Sequence, residues 1–305
     1  MSSDPAIRLS TRLTSQQAAQ LAHSHGLREM GVRPSLKRYL GMVWERRSFI
    51  WNLSASKAYT RNQGSYLGQA WNIIRPILDA AVFIIIFGFV LNAAGGYNRM
   101  AFITIGVFVY TFFGIAVMSG AGSIPANLTL IRSHQFPRAV VPLSTTLTEI
   151  VLFLPVVVVM VVLSYITGLM PDMGAINPAW SWLTLPAGVL LFAIFGSGLG
   201  MIFARLSART PDVMNIIPFF IRLAQFASAV MFLPEQSVRQ GGWLYHTLIN
   251  QPVRVFIELF RGAIGHVNTL PFDAQLWWTA AAWAVGTFTI GFVFFWGAEE
   301  VYGRD

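Results

Sequence analysis

There is no cysteine in the 305 residues. That excludes disulfides, iron–sulfur clusters and thiol nucleophiles, and leaves the redox compartment open. Charge is scarce as well: Asp, Glu, Lys and Arg together make up 11% of the chain, against about 25% in soluble domains. With 55% hydrophobic residues and a mean hydropathy of +0.57, most of the chain must be hidden from water. Several motifs are also missing. There is no GxxxxGK(S/T) phosphate loop, no HExxH, no GxSxG elbow, and no pair of histidines at metal-ligand spacing within an apolar stretch. No catalytic residue, cofactor or metal is therefore expected in this chain. The net charge of +8 could suggest nucleic acid, but no basic stripe is interleaved with base-stacking aromatics. The excess sits beside apolar spans, where anionic membrane lipids attract it. The opening residues MSSDPAIRLSTRLTSQQ are polar, so no cleaved signal peptide is expected.

What is present is a succession of apolar stretches, and the first emerges from a basic, glycine-broken segment without a spacer. Pro76 to Ala94 carries a single charge, Asp79, and with its flanking turn it covers a hydrocarbon core of about 30 Å at about 1.5 Å per residue. Five further spans follow: Ala101 to Ile124, Pro142 to Leu169 with Glu149 near its start, Trp180 to Ala204, Val213 to Leu233 with Arg222 inside it, and Leu276 to Ala298. Gly196, Gly198 and Gly200 recur every second residue in the fourth span, which is not a single small-residue stripe. Trp277, Trp278 and Trp296 stand at the ends of the sixth as interface anchors. The predicted fold is an all-α polytopic membrane protein with six transmembrane helices.

Residues 1–33 read as a polar cytoplasmic tail, and residues 34–70 as an interface helix followed by a connector. From Pro34 to Trp51, apolar Leu36, Tyr39, Leu40, Val43 and Trp44 recur at three- and four-residue intervals, with Lys37, Arg38, Glu45 and Arg46 on the other side. This is an amphipathic helix, lying on a membrane surface or packed against a partner. Residues 71–305 form the six-helix domain. Between spans five and six, residues 236–268 hold two helical stretches, Trp243 to Ile249 and Val253 to Ile264, each too short to cross. The expectation is a re-entrant or interfacial helical hairpin, whose broken backbone protein or water must satisfy. Counting Lys and Arg by loop places sixteen on the side of both termini and four on the other, with Arg222 inside a span. Both termini are therefore predicted to be cytoplasmic, with the hairpin on the outer side.

Charges inside spans face protein or water, because lipid rejects them. Arg75, Asp79, Phe83, Phe87 and Leu91 fall on one stripe of the first span; Asn215, Phe219, Arg222 and Phe226 do so on the fifth. Each stripe joins aromatic rings to an ionisable group. One reading is a substrate channel lined by Asp79, Phe83, Phe87, Phe219, Arg222 and Phe226, since aromatic faces stack on sugar C–H faces whatever the sugar sequence. The other is ordinary packing, with Arg222 paired to Asp79 or Glu149. At the interface, Arg46, Arg47, Lys57 and Arg61 could capture a diphosphate or anchor the chain to lipid.

Three stretches, in this order of spans, resemble one family. They are RNQGSYLGQAWNIIRP (Arg61 to Pro76), IPANLTLIRSHQFPRAVVPLS (Ile124 to Ser144) and INQPVRVFIELFRGAI (Ile249 to Ile264). The sequence resembles the type-2 ATP-binding-cassette export permeases, in particular the branch exporting O-antigen, teichoic acid and related lipid-linked glycans such as cell-wall galactan. In the third stretch the family has Asn directly followed by Pro, whereas Gln251 intervenes here. The resemblance implies a homodimer enclosing a channel in a bacterial inner or plasma membrane. It further implies two copies of a separate ATPase subunit that carries the ATP and Mg, and a polyprenyl-diphosphate-linked glycan as cargo. It makes residues 124–141 a loop coupled to that ATPase, through Arg132, Phe136, Pro137 and Arg138, and assigns an outer gate to Trp243, Asn250, Pro252, Glu258 and Arg261. An intramembrane enzyme would need an acid–base pair that the dispersed Asp79, Glu149 and Arg222 do not supply. An ion-coupled transporter would show an inverted repeat, and none is seen. A drug or small-lipid exporter is the alternative within the class.

Overall fold

Residues with their backbone in lipid must satisfy every N–H and C=O within the chain, which leaves helices as the economical solution for apolar spans. A computed structural model describes residues 34–86, 99–169, 174–228, 230, 242–265, 273–300 and 302, the side chains of residues 83, 84 and 99 excepted. Among the described residues there is no strand. In chain order the helices are α1 (Leu36–Glu45), α2 (Arg47–Thr60), α3 (Trp71–Ile84), α4 (Arg99–Gly122), α5 (Leu128–Ser133) and α6 (Val140–Gly168). They continue with α7 (Leu185–Arg209), α8 (Val213–Ala227), α9 (Trp243–Ile249), α10 (Pro252–Ile264) and α11 (Ala274–Trp296).

Four segments are long and apolar enough to cross a membrane: Met100–Gly122, Val140–Gly168, Trp180–Arg209 and Ala274–Trp296. The expected first and fifth spans begin as the apolar helices α3 and α8, described over 14 and 15 residues. Their remainders, with Phe87 and Leu91, lie outside the described residues, as does the tail 1–33.

Helix α7 is the hub, packed on α4, α6 and α11. The alternating glycines explain how one helix serves several neighbours. A Cβ on Gly198 would lie 2.5 Å from the Thr287 carbonyl carbon of α11, and one on Gly291 would collide with Gly198 itself. Gly200 turns instead to α4, where a Cβ on Gly120 would fall 2.4 Å from the Gly200 Cα. Spacing by two sends successive glycines to different sides of a helix, so the pattern marks several close crossings rather than one stripe.

Phenylalanines fill the middle of the bundle. Phe112 stacks on Phe153 at 4.1 Å between centroids, while Phe256 of α10 lies 5.0 Å from Phe192 and 4.9 Å from Phe195 of α7. Such pairs add about 0.5–1.5 kcal/mol beyond the area they bury. Helices α3 and α8 stand at the periphery: α3 rests on α4 and α6, and α8 on α4 and α7.

The amphipathic segment differs from expectation. It breaks at Arg46, whose φ of −88° and ψ of 10° end α1, and then runs on as α2 to Thr60. The reason is that its two halves bury different surfaces. Helix α1 buries Tyr39 and Val43, whereas α2 buries the small Ser54 and Ala58 so that its backbone can approach α6. There Ser54 Oγ donates to the Ser144 carbonyl at 2.8 Å, and Thr148 Oγ1 donates to the Ser54 carbonyl. The end of the bundle where Tyr39 meets Glu299 is called basal below.

Candidate functional site: a basal pocket, a clamped loop and two open helix faces

The connector between α2 and α3 is held by its own polar side chains. Asn62 Nδ2 donates to Asn72 Oδ1 at 2.7 Å, Asn72 Nδ2 donates to Gln69 Oε1 at 2.7 Å, and Gln69 Nε2 donates to the Tyr59 carbonyl. Gly68 takes a φ of 48°, a left-handed turn suited to glycine. Arg61 at the head of the connector reaches Glu149 of α6 at 2.5 Å, and Ser119 Oγ of α4 donates to the same carboxylate at 2.7 Å. Glu149 is thus tied to Arg61 and Ser119. Its expected alternative partner, Arg222, is exposed on α8. A carboxylate near the start of a span reaches the interface cation of the connector more readily than a cation buried deep in another span.

Beside this pair lies a cavity of about 250 Å³, lined by Arg61, Asn62, Asn72, Arg75, Asp79 and Glu149, with Trp71 and the phenylalanines 108, 112 and 153 as its apolar wall. It offers guanidinium and amide donors at one end and aromatic faces at the other. Of the four interface cations, Arg46 and Arg47 are exposed. Arg47 also lies 5.5 Å over the Trp44 ring. Lys57 donates to Asn127 Oδ1 at 3.0 Å, and its partial burial lowers its pKa.

The loop after α4 is clamped at its far end. Tyr39 donates to Glu299 Oε2 at 2.6 Å and its hydroxyl accepts from the Ala139 N–H at 3.0 Å. The Arg138 N–H donates to Glu299 Oε1 at 2.9 Å, and its guanidinium donates to the Glu299 carbonyl. Burial is the main cause that raises the pKa of both the Glu299 carboxyl and the Tyr39 hydroxyl. Pro137 is buried, and half-buried Phe136 meets Phe49 of α2 at 5.8 Å. By contrast Arg132, Ser133, His134 and Gln135 are exposed. Of the four residues expected at this loop, Arg132 is therefore on the accessible tip, while Phe136, Pro137 and Arg138 belong to the clamp. Glu299 was not legible as a partner, because nothing in GAEEVYGRD marks which carboxylate turns inward.

On α3, Ile77, Leu78, Asp79 and Val82 are exposed; on α8, Ile216, Phe219, Phe220, Arg222, Leu223 and Phe226 are. Phe219 and Phe226 keep 65% and 70% of their surface. The structure thus places Asp79, Phe219, Arg222 and Phe226 on open helix faces.

At the opposite end, α10 is buried on every side from Val253 to Ile264. Arg261 has no exposed surface. It donates to Glu258 Oε1 at 2.8 Å, to the Phe102 carbonyl at 3.0 Å and to the Val230 carbonyl at 2.8 Å, and its guanidinium lies 3.3 Å over the Phe102 ring. Glu258 and Arg261 therefore bind α10 to the start of α4 and the residues after α8. Trp243 and Asn250 are exposed on α9 and its end, and Pro252 opens α10. The inserted Gln251 has its own role. Its side-chain carbonyl accepts from the Arg254 N–H at 3.2 Å as a helix cap, and its amide donates to Ser228 Oγ at 2.9 Å. A polar residue directly before a proline that opens an apolar helix is the signal by which it could have been found.

An all-helical bundle with four helices long and apolar enough to cross a membrane, a clamped polar loop at one end and two open helix faces is that of a multi-pass membrane protein. The chain belongs to the ABC-2 type transporter family, whose profile matches residues 50–264. It is 25% identical over 209 residues to an O-antigen export system permease protein RfbA of Klebsiella pneumoniae, covering 68% of this chain and 77% of that protein. To RfbA of Myxococcus xanthus it is 24% identical over 265 residues, covering 87% and 95%. To the polysialic acid transport protein KpsM of Escherichia coli it is 24% identical over 199 residues, covering 65% and 74%.

Proposed function

We propose that this chain is the membrane subunit of an ATP-driven exporter that moves a polyprenyl-diphosphate-linked polysaccharide from the cytoplasmic to the outer side of a bacterial inner or plasma membrane. It works as a homodimer with two copies of a separate ATPase subunit. The observation that carries this reading is the pair of open faces on α3 and α8. They combine aromatic rings with Asp79 and Arg222, and relatives of this chain are named for exporting O-antigen and transporting polysialic acid. A long glycan needs a conduit that is polar enough to stay hydrated and aromatic enough to stack on any sugar.

The remaining parts follow from this reading. Six spans cross the membrane, with α3 and α8 as the first and fifth and both termini cytoplasmic. Helix α1 lies at the membrane surface, and its exposed Leu40 and Trp44 support that position. The segment α9–α10 is a re-entrant hairpin, supported by the burial of α10 within protein. Arg132 to Gln135 is the tip that the ATPase grips, and the Tyr39–Glu299–Arg138 clamp passes displacement of that tip into α1 and α6. Exposed Arg46 and Arg47 take the lipid diphosphate first. The cavity at Arg61 and Arg75 receives it next, since paired guanidinium groups replace its hydration in bidentate fashion.

The test is reconstitution in vesicles. The chain alone should hydrolyse no ATP; with its ATPase subunit, hydrolysis should be stimulated by a polyprenyl-diphosphate-linked glycan. Changing Arg46 and Arg47 together to Gln should raise the glycan concentration needed for half-maximal stimulation, and an unchanged value would assign both residues to anchoring. Stimulation by small amphipathic drugs and none by the glycan would replace this reading with that of a drug exporter.

A further inference from the structure

Helix α8 has a space behind it. On the side opposite Phe219, Arg222 and Phe226 it carries Ile217, Phe220 and Ala224, and these wall a cavity of about 490 Å³ together with Phe113 of α4, Phe195 of α7 and Trp283 of α11. That volume falls within the about 300–1,000 Å³ of ligand pockets. The lining asks for no polar guest. Gln251 at its edge already donates to Ser228 Oγ and accepts from the Arg254 N–H, and Thr287 adds one hydroxyl.

Depth and shape suit a hydrocarbon chain. The cavity starts at the basal end: Val213 opens α8, and a Cβ on Gly122, the last residue of α4, would lie 3.4 Å from Met214 Cε. From Val213 to Ala224 the helix rises about 16 Å at about 1.5 Å per residue, close to half of a hydrocarbon core of about 30 Å. This is the depth of one leaflet. Ile216 and Phe220 of α8 and Trp283 of α11 line the cavity and are exposed, so its mouth lies between these two helices. A second cavity of about 320 Å³ shares Trp283 and Thr287 and runs on over Gly286 and Ile290 of α11. Helix α11 is long and apolar enough to cross a membrane, with Ile290 and Val293 exposed on that flank, so the space opens toward the bilayer.

The cavity is separate from the basal polar pocket. That pocket lies against Phe108 and Phe112 of α4 and this one against Phe113 and Val117, on opposite sides of the same helix. A prenyl chain attached to a diphosphate at Arg61 would have to pass through α4 to enter it.

We propose that the cavity behind α8 binds one acyl chain of a phospholipid from the basal leaflet. Moving there from the bilayer brings no hydrophobic gain, because lipid tails are as apolar as the lining. The gain is contact. An unfilled cavity leaves its wall atoms without dispersion partners, and a flexible methylene chain restores them. The chain is then the packing partner of α8 on the side of α11, and it supports the Arg222 face from behind. Arg209 and Asp212, exposed at the link from α7 to α8, present one charge of each sign at headgroup level, so the site selects the chain and not the headgroup.

The test uses the permease with its ATPase subunit in nanodiscs of phosphatidylcholine, a fraction of which carries a diazirine along one acyl chain. After irradiation, adducts are mapped by peptide mass spectrometry. Ile217, Phe195 and Val253 line the cavity with 3%, 2% and 3% of their surface exposed, whereas Val158 and Val162 of α6 are open. Lipid that only coats the protein reaches the two valines of α6 and not the buried three. Expected are adducts on Ile217, Phe195 or Val253 in the wild type, lowered several-fold in Ala224→Trp, whose ring takes up the cavity, with adducts on Val158 and Val162 unchanged. If Ala224→Trp does not assemble, Ala224→Leu replaces it. Wild-type adducts confined to exposed residues would overturn the proposal, whether the cavity stays empty or a second copy of the chain covers its mouth. A polyprenyl phosphate bearing a diazirine is the second probe. Labelling of the buried three by it and not by the phospholipid would make the occupant the tail of the cargo, and would overturn the proposal equally.

Discussion

Removing the guanidinium of Arg261 should be among the most damaging single changes in this protein. In the folded chain it has no exposed surface, and it serves the Glu258 carboxylate and the carbonyls of Phe102 and Val230 at once. Arg261→Ala strands a buried carboxylate, for which about 3–5 kcal/mol is the expected loss. Two carbonyls also lose their donor, each worth about 1–3 kcal/mol when left without water. Water entering the vacated space recovers part of this, so the net loss should be close to the carboxylate figure. That corresponds to a fall in melting temperature on the order of 10 °C. Arg261→Lys keeps the charge but not the fork, and should fall between Ala and wild type. The double variant Glu258→Gln with Arg261→Met removes both charges, and should be more stable than Arg261→Ala alone. The assay is thermal unfolding of the detergent-purified or nanodisc-embedded protein, followed by loss of the monodisperse chromatographic peak. If Arg261→Ala melts within about 2 °C of wild type, the guanidinium does not hold α10 to α4. If the double variant is no better than Arg261→Ala, the stranded carboxylate is not the source of the loss.

Two further outcomes follow from the packing and the clamp. Gly291→Leu should prevent α7 and α11 from approaching, since even a Cβ there would overlap the Gly198 carbonyl; a loss of at least about 1–3 kcal/mol is expected, and normal thermal stability would show that the two helices do not cross at that point. Burial raises the Glu299 pKa, so the folded state holds this proton more tightly than the unfolded chain does. That contribution is complete below the ordinary carboxylate value and is lost as pH rises through the raised folded value. Glu299→Gln cannot titrate, and its single side-chain oxygen replaces only one of the two that accept from Tyr39 and the Arg138 N–H, so its melting temperature should start lower at acid pH and change less with pH over that window. Equal pH slopes for the two proteins would contradict the buried position of Glu299.

The sequence by itself determined the class of this protein. Scarce charge and repeated long apolar runs call for lipid, where an unbroken apolar run of that length satisfies its backbone as a helix, so the four long spans could be read from composition and length. The amphipathic period around Tyr39 and the short lengths of the stretches 243–249 and 253–264 were legible for the same reason: local periodicity and length need no knowledge of neighbours. The tertiary structure decided the partners. Glu149 could be seen as a charge in a span, but only the fold brings Arg61 and Ser119 to it and leaves Arg222 open. The alternating glycines were visible, yet which helix each one admits depends on crossings between residues far apart in the chain. Arg138 and Glu299 are separated by 161 positions. No local signal joins them, because a buried polar pair is selected by the space that several helices enclose, and that space exists only after they have packed.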